Sequence, residues 1–94
     1  MISAKEAYSL SAPNLEIYRE FIDKRIREAI NAGILRVEIR EDPYSMWLYN
    51  ERELSDIDAI RVLKELRDLG YNVSQYYREA QFVDVALVIS WDKP

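Results

Sequence analysis

Apolar residues in the first third of the chain recur every three or four positions, which is the spacing of one face of an α-helix. Segment 14–33 has its apolar positions on one such face: Leu15, Tyr18, Ile22, Ile26, Ala29 and Ile30. The opposite face has acid-before-base pairs at i,i+4, namely Glu20–Lys24 and Asp23–Arg27. Gly33 is suited to the left-handed conformation that commonly ends a helix. The pattern therefore predicts a long amphipathic helix that stops at this glycine.

Two shorter helices are indicated by capping signals. A capping box at Ser3–Glu6 predicts a helix over 4–10, which we expect to break in the segment 11–14. The segment 55–58 places carboxylates in the first turn of another helix, where the helix dipole favours negative charge. That helix should end at Gly70. Its predicted buried residues are Ile57, Ile60, Leu63, Leu66 and Leu69.

After the long helix the pattern changes to strict alternation, which is typical of a half-buried strand. In segment 34–40 the apolar residues Leu35, Val37 and Ile39 alternate with the charged residues Arg36, Glu38 and Arg40. Residues 41–44 are predicted to form a turn, since they include Pro43. Residues 45–50 should then return as the second strand of a hairpin. In such a strand Met46 and Leu48 face one way, and Trp47 and Tyr49 face the other.

Segments 71–79 and 81–91 predict a second hairpin. The last strand is apolar on both faces, which is usual for a central strand or for one covered by another chain. Its two faces hold Val83, Val85, Leu87, Ile89 and Trp91 on one side, and Phe82, Ala86 and Val88 on the other. The predicted architecture is α+β, in a single domain over 1–94. N-terminal helical segments and one further helix pack on a mostly antiparallel sheet of about four strands. The other face of that sheet, rich in Tyr and Arg, is predicted to meet a partner or a second copy.

Composition removes several classes of function. The 94 residues contain no Cys and no His, so the chain has no disulfides, no usual zinc ligands, and neither the commonest general base nor the best nucleophile. A net charge of −4 argues against a nucleic-acid surface, which needs concentrated Lys and Arg. No apolar run approaches the ~20 residues that a membrane span requires. We therefore expect a cytoplasmic protein that is not an enzyme and uses no cofactor or metal.

Aromatic residues are more numerous than a small core needs. Tyr and Trp combine apolar area with a polar group and are enriched at binding hot spots, while packing within the sheet is the alternative explanation. The pattern leaves open whether Trp47 points into the core. The predicted binding residues lie on the second and third predicted strands and beside them: Tyr44, Trp47, Tyr49, Tyr76, Tyr77 and Arg78.

Acidic residues supply two further candidates. Four of them lie close together in sequence, but the glycine and the spaced oxygen ligands of a calcium loop are missing. We interpret these four as helix-capping and solvent-exposed groups: Glu51, Glu53, Asp56 and Asp58. Asp84 stands within an apolar run. We predict that it lies at an exposed strand end or pairs with a residue such as Arg78 across the hairpin.

Two short motifs give the chain a resemblance to a known group. They are the Gly70-Tyr71-Asn72-Val73 start of a strand and the Ile89-Ser90-Trp91 end of the last one. The chain resembles small proteins of unassigned function encoded by tailed bacteriophages, which commonly show a GYxV strand start and an ISW finish. The resemblance implies an accessory protein that acts on host components or in phage assembly. It implies no chemistry.

The function expected on these grounds is a non-catalytic binding protein, assembled as a homo-oligomer. It would inhibit or sequester a host component, such as a defence protein, through an aromatic-rich sheet or hairpin surface. One alternative is an oligomeric sponge that holds a small nucleotide ligand between Tyr and Arg side chains. A minor virion-assembly protein is another.

Overall fold

The computed structural model describes residues 1–11 and 14–93, which form an α+β fold. The helices are α1 (Ala4–Ser11), α2 (Leu15–Asn31) and α3 (Ile57–Asp68), and the strands are β1 (Arg36–Ile39), β2 (Asn72–Glu79) and β3 (Val83–Ser90). All pairings are antiparallel, in the order β1-β3-β2. The apolar last strand is therefore central, as its two apolar faces predicted.

Local signals for the helix ends are confirmed. The amide of Glu6 donates to Ser3 Oγ at 3.1 Å, and Asp56 accepts from two first-turn amides of α3. Gly33 and Gly70 have positive φ angles of 73° and 96°, the left-handed conformation that ends a helix without a Cβ penalty. The predicted break between α1 and α2 falls partly on residues 12 and 13, outside the described residues.

The predicted strand over 45–50 is wrong, and the described sheet has three strands where about four were expected. Residues Tyr44–Met46 instead form a 3₁₀ turn, in which the Trp47 amide donates to the Tyr44 carbonyl at 3.2 Å. A strand places residues three apart on opposite faces, whereas in a 3₁₀ turn they project from the same side. The turn thus lets Tyr44 and Trp47 enter the core together.

The buried face of α3 also differs from the prediction. Ile57, Ile60 and Leu69 are exposed, and of the predicted set only Leu63 and Leu66 are buried. The buried stripe is Ala59, Val62, Leu63 and Leu66, which follows helical spacing equally well. In this orientation Asp58, only 6% exposed, also turns inward and accepts the amide of Asn14 at 3.2 Å. This polar contact between two helix starts, which periodicity does not reveal, accompanies the rotation.

The core lies between one face of the sheet and α2 and α3, which run in the same direction. Asn14 meets Asp58 at their first turns, and Arg19 meets Glu65 further along. The predicted face of α2 is confirmed except for Ile30, which is exposed, as is Leu35 before β1. The sheet contributes four buried side chains to this core: Val37, Ile39, Leu87 and Ile89.

Candidate functional site

The segment 44–50 divides its aromatic residues between the core and the surface. Tyr44 is 5% exposed and Trp47 2% exposed, so neither belongs to an exposed binding surface. They pack with two residues of α2: the Phe21 and Tyr44 rings are stacked with centroids 4.4 Å apart, and Tyr18 meets Trp47 edge-on at 4.9 Å. We call Tyr18, Phe21, Tyr44 and Trp47 the buried aromatic cluster.

The hydroxyl of Tyr18 ties this cluster to the start of α3. It donates to Asp56 Oδ2 at 2.6 Å, while Asp56 Oδ1 accepts the amides of Asp58 and Ala59. Burial, and then the hydrogen bond to the Asp56 carboxylate, raise the pKa of Tyr18 to about 12. The interpretation of Asp56 as a capping group is therefore confirmed. Asp58 lies in the first turn of α3 but is buried and accepts the amide of Asn14, so its predicted solvent exposure is wrong. Glu51 is paired with Arg67 at 2.7 Å, and Glu53 is exposed.

The β2–β3 hairpin extends beyond the rest of the sheet. β1 pairs only with residues 87–90 of β3, so residues 76–79 and 83–86 form a two-stranded projection. Four apolar or aromatic side chains are exposed on or beside this projection: Tyr49 (52%), Tyr77 (44%), Phe82 (80%) and Val83 (59%). We call these four residues the hairpin tip.

The hairpin tip is organised by a contact between its two tyrosines. The ring centroids of Tyr49 and Tyr77 lie 5.5 Å apart at an interplanar angle of 44°. Tyr77 is paired with Val85 and its hydroxyl donates to Glu79 Oε2 at 3.3 Å. Partial burial, and then the nearby Tyr49, raise the pKa of Tyr77. Each ring thus limits the other's freedom while much of both stays accessible.

The face of the sheet that points away from α2 and α3 is covered by ion pairs. Arg40 donates twice to Asp84, at 2.9 and 3.2 Å, and once to Glu38 at 3.0 Å. Glu38 also accepts from Arg36 at 2.7 Å. The Arg40 guanidinium lies 5.9 Å from the centroid of the Tyr76 ring. This face is therefore a linked array of charges with one tyrosine beneath it.

These ion pairs settle the position of Asp84. Its main partner is Arg40, whose hydrogen bonds lower the pKa of Asp84, and Arg78 opposite it in the register adds to the effect. The pKa of Arg40 is raised by the same contacts. Asp84 is thus paired, as predicted. Its chief partner is Arg40, which directly follows β1, and Arg78 across the hairpin contributes less. The guanidinium groups of Arg36 and Arg40 each lie beside a carboxylate, so this array of charges offers no ready binding pocket for an anion.

A groove of about 330 Å³ runs between α2 and α3. Its walls include Ile22, Ile26 and Val62, and at its rim Arg19 pairs with Glu65 at 2.8 Å. Among the described residues no group of three acidic side chains is arranged to hold a metal ion. None of the described helices is long and apolar enough to cross a membrane. The groove has an apolar floor, but Arg19, the cation among its described lining residues, is already paired.

The structure separates the predicted binding residues into three places. Tyr44 and Trp47 are in the core, Tyr76 and Arg78 are on the ion-paired face, and Tyr49 and Tyr77 are at the hairpin tip. Alternation along β2 accounts for the division of Tyr76 from Tyr77, since successive residues of a strand face opposite ways. Phe82 and Val83 were missed as surface residues. The turn-like Ala80-Gln81 beside them was the available signal that both lie near a hairpin end.

Fold and site together define a small α+β protein in which the exposed aromatic side chains of the described residues, Tyr49, Tyr77 and Phe82, lie on or beside a projecting hairpin. No known family model, curated protein or solved structure matches this chain.

Proposed function

We propose that this protein is a non-catalytic binding protein that holds a partner protein at its hairpin tip. The observation that supports this proposal most directly is the contact between Tyr49 and Tyr77 at the exposed end of the sheet, with Phe82 and Val83 exposed beside it. Rings that already limit each other's motion lose little entropy on binding. Aromatic residues of this kind dominate the affinity of many protein interfaces.

A protein partner fits the shape and charge of this surface better than a nucleotide does. A nucleotide site needs an aromatic plane and a cation on the same side, but Tyr77 and Arg78 are consecutive in β2 and face opposite ways. On the other face, Tyr76 shares a side with Arg78 and Arg40, but Arg40 is bonded to Asp84 and Glu38, and Asp84 also lies opposite Arg78 in the register. The nucleotide-sponge alternative therefore has weaker support.

The resemblance to phage accessory proteins suggests the kind of partner. On that ground we propose a host protein in the host cytoplasm, which the tip inhibits or sequesters. Blocking a partner requires affinity and no catalytic group. The side chains of the tip are of the type that supplies affinity.

Affinity capture from host lysate tests this function, with a tip variant and a matched control. The tip variant is Tyr77→Ala with Phe82→Ser. The control is Ile30→Ser with Leu35→Ser, which removes two exposed apolar side chains (55% each) outside the hairpin. We expect the tip variant to weaken binding of the captured protein at least ~30-fold, as loss of a hot spot does, and the control to bind like the wild type. Circular dichroism confirms that each variant is folded.

Two results would contradict the proposal. One is a tip variant that retains the partner at wild-type affinity. The other is a control that loses the partner to the same extent, which would indicate non-specific apolar capture.

A further inference from the structure

Strand β2 presents an unprotected edge. It pairs with β3 on one side, and within residues 1–11 and 14–93 no strand pairs with its other side. Exposed edges are usually short or contain Lys, Pro or a bulge. β1 follows that rule, since it has four residues and is soon followed by Pro43. β2 follows it only weakly, because its eight residues NVSQYYRE pair without interruption and include no Lys, Pro or Gly, and its two charged residues, Arg78 and Glu79, both lie at the hairpin end.

The alternation of hydrogen-bonded and non-hydrogen-bonded residue pairs in the sheet shows which backbone groups of β2 face outward. The amide of Trp91 donates to Leu35 at 3.0 Å, so the odd-numbered residues of β3 bond to β1 and the even-numbered ones to β2. At the hairpin end, the amide of Ala80 donates to the carbonyl of Phe82, so even-numbered residues are bonded between β2 and β3 there as well. In the β2–β3 register, the residues whose amides and carbonyls point away from the sheet are then Val73, Gln75, Tyr77 and Glu79.

We propose that this edge pairs antiparallel with β2 of a second copy of the chain, about a two-fold axis at Tyr76. Val73 then bonds to the partner's Glu79, and Gln75 to the partner's Tyr77. Only this register matches every outward residue of one copy with an outward residue of the other. Three strands from each copy join into one continuous sheet.

The side chains of β2 are compatible with this pairing. Its charged residues are Arg78 and Glu79, which in this register lie opposite the partner's Ser74 and Val73. No like charges meet, so the pairing avoids the destabilisation that opposed like charges cause. The two Tyr76 rings meet at the axis on the ion-paired face, where aromatic cross-strand pairs are favourable. The inference does not rest on the proposed function.

Single cysteine substitutions test the register, because the chain has no cysteine of its own. Tyr76→Cys places two thiols opposite each other in a non-hydrogen-bonded pair, at about 4.5 Å between Cα atoms, which suits a disulfide. Ser74→Cys, on the same face, separates them by four residues, or ~13 Å, which a disulfide cannot span. We expect at least ten times more cross-linked dimer from Tyr76→Cys on mild oxidation. Equal yields, or no dimer from either, would overturn the register.

Sedimentation velocity tests the association without any covalent bond. We expect a reversible dimer of the 11.1 kDa chain. Ser74→Lys sets a positive charge against the partner's Arg78 at two symmetric places, and should raise the dimer Kd at least tenfold. Asn31→Lys adds the same charge at the end of α2 and should leave the Kd unchanged.

The proposal fails if the wild type stays monomeric at millimolar concentration, which would leave the edge to a strand from a different protein. It also fails if Ser74→Lys dimerises as tightly as the wild type. Both measurements use variants whose circular dichroism matches that of the parent protein.

Discussion

The buried aromatic cluster and the hairpin tip are built from the same types of residue and have opposite fates. Trp47 and Tyr49 are two positions apart, yet Trp47 is 2% exposed and Tyr49 is 52% exposed. The difference lies in what covers each ring. Trp47 packs against Tyr18 of α2, whereas Tyr49 meets Tyr77 on the part of the hairpin that extends beyond β1. Aromatic content alone therefore does not mark a binding surface, because an aromatic residue is available only where no element covers it.

The two regions also differ in how their polar atoms are satisfied. Tyr18 bonds to a carboxylate that caps α3, so the buried cluster is tied to the start of a helix. At the tip, the hydroxyl of Tyr77 donates to Glu79 over a longer distance of 3.3 Å. We infer that the cluster supports the fold and that the tip is available for binding. The following changes test that division, from the largest expected effect to the smallest.

Trp47→Ala should have the largest effect. Truncating a buried tryptophan leaves a cavity and typically costs ~3–5 kcal/mol, a large part of the total stability of a small domain. Urea unfolding measures the loss. Trp47→Phe should be milder, because the buried indole Nε1 has no hydrogen-bond partner within the described residues. A Trp47→Ala protein with wild-type stability would contradict the core position of this ring.

Tyr18→Phe should change how stability depends on alkaline pH. The pKa of Tyr18 is about 12 in the folded chain, against ~10 when unfolded. Because the folded pKa is raised, the stabilisation is complete below pH ~10 and is lost as the pH rises toward 12, by ~2–3 kcal/mol. Urea unfolding between pH 8 and about 11 should show a steeper decline for the wild type than for the variant. Identical slopes would mean that Tyr18 is neither buried nor bonded to Asp56 in solution.

Asp84→Asn should have a small effect that depends on acid pH. The folded-state pKa of Asp84 is lowered by Arg40, so its contribution is present above the usual pKa of 3.8 and disappears as the pH falls below it. The urea midpoint of the variant should lie slightly below that of the wild type at pH 7, and the two should converge as the pH falls below the lowered pKa of Asp84. A constant difference across that range would assign the effect to packing.

Phe82→Ser should have the smallest effect on stability. Its side chain is 80% exposed, and surface substitutions of this kind usually stay within about 0.5 kcal/mol of the wild type. Thermal or urea unfolding beside Trp47→Ala would measure the contrast between tip and cluster directly. Destabilisation of similar size in both variants would show that Phe82 is covered in solution, either by its own chain or by another copy.

Much of the secondary structure was predictable because its signals are local. The capping oxygen of Ser3, the carboxylate of Asp56 and the glycines at 33 and 70 act within a few residues of their own positions. The apolar residues on both faces of the last strand also identified it correctly as central. The 3₁₀ turn at 44–46 was not predictable in this way, since alternation favoured a strand there. What stabilises the turn instead is the burial of the Tyr44 and Trp47 rings against α2, whose residues lie more than twenty positions away in the sequence.

The candidate site was predictable only in its residue types. The sequence by itself determined where helices begin and end, which strand is central, and that aromatic residues exceed the needs of a small core. The tertiary structure decided which of those aromatics are covered, how α3 is rotated, and that one edge of β2 has no partner strand among residues 1–11 and 14–93. The physical reason is that capping and alternation depend on neighbours along the chain. Burial and edge exposure depend on which elements distant in sequence cover a surface. Here the hairpin projects beyond β1, so β1 does not cover its outer end.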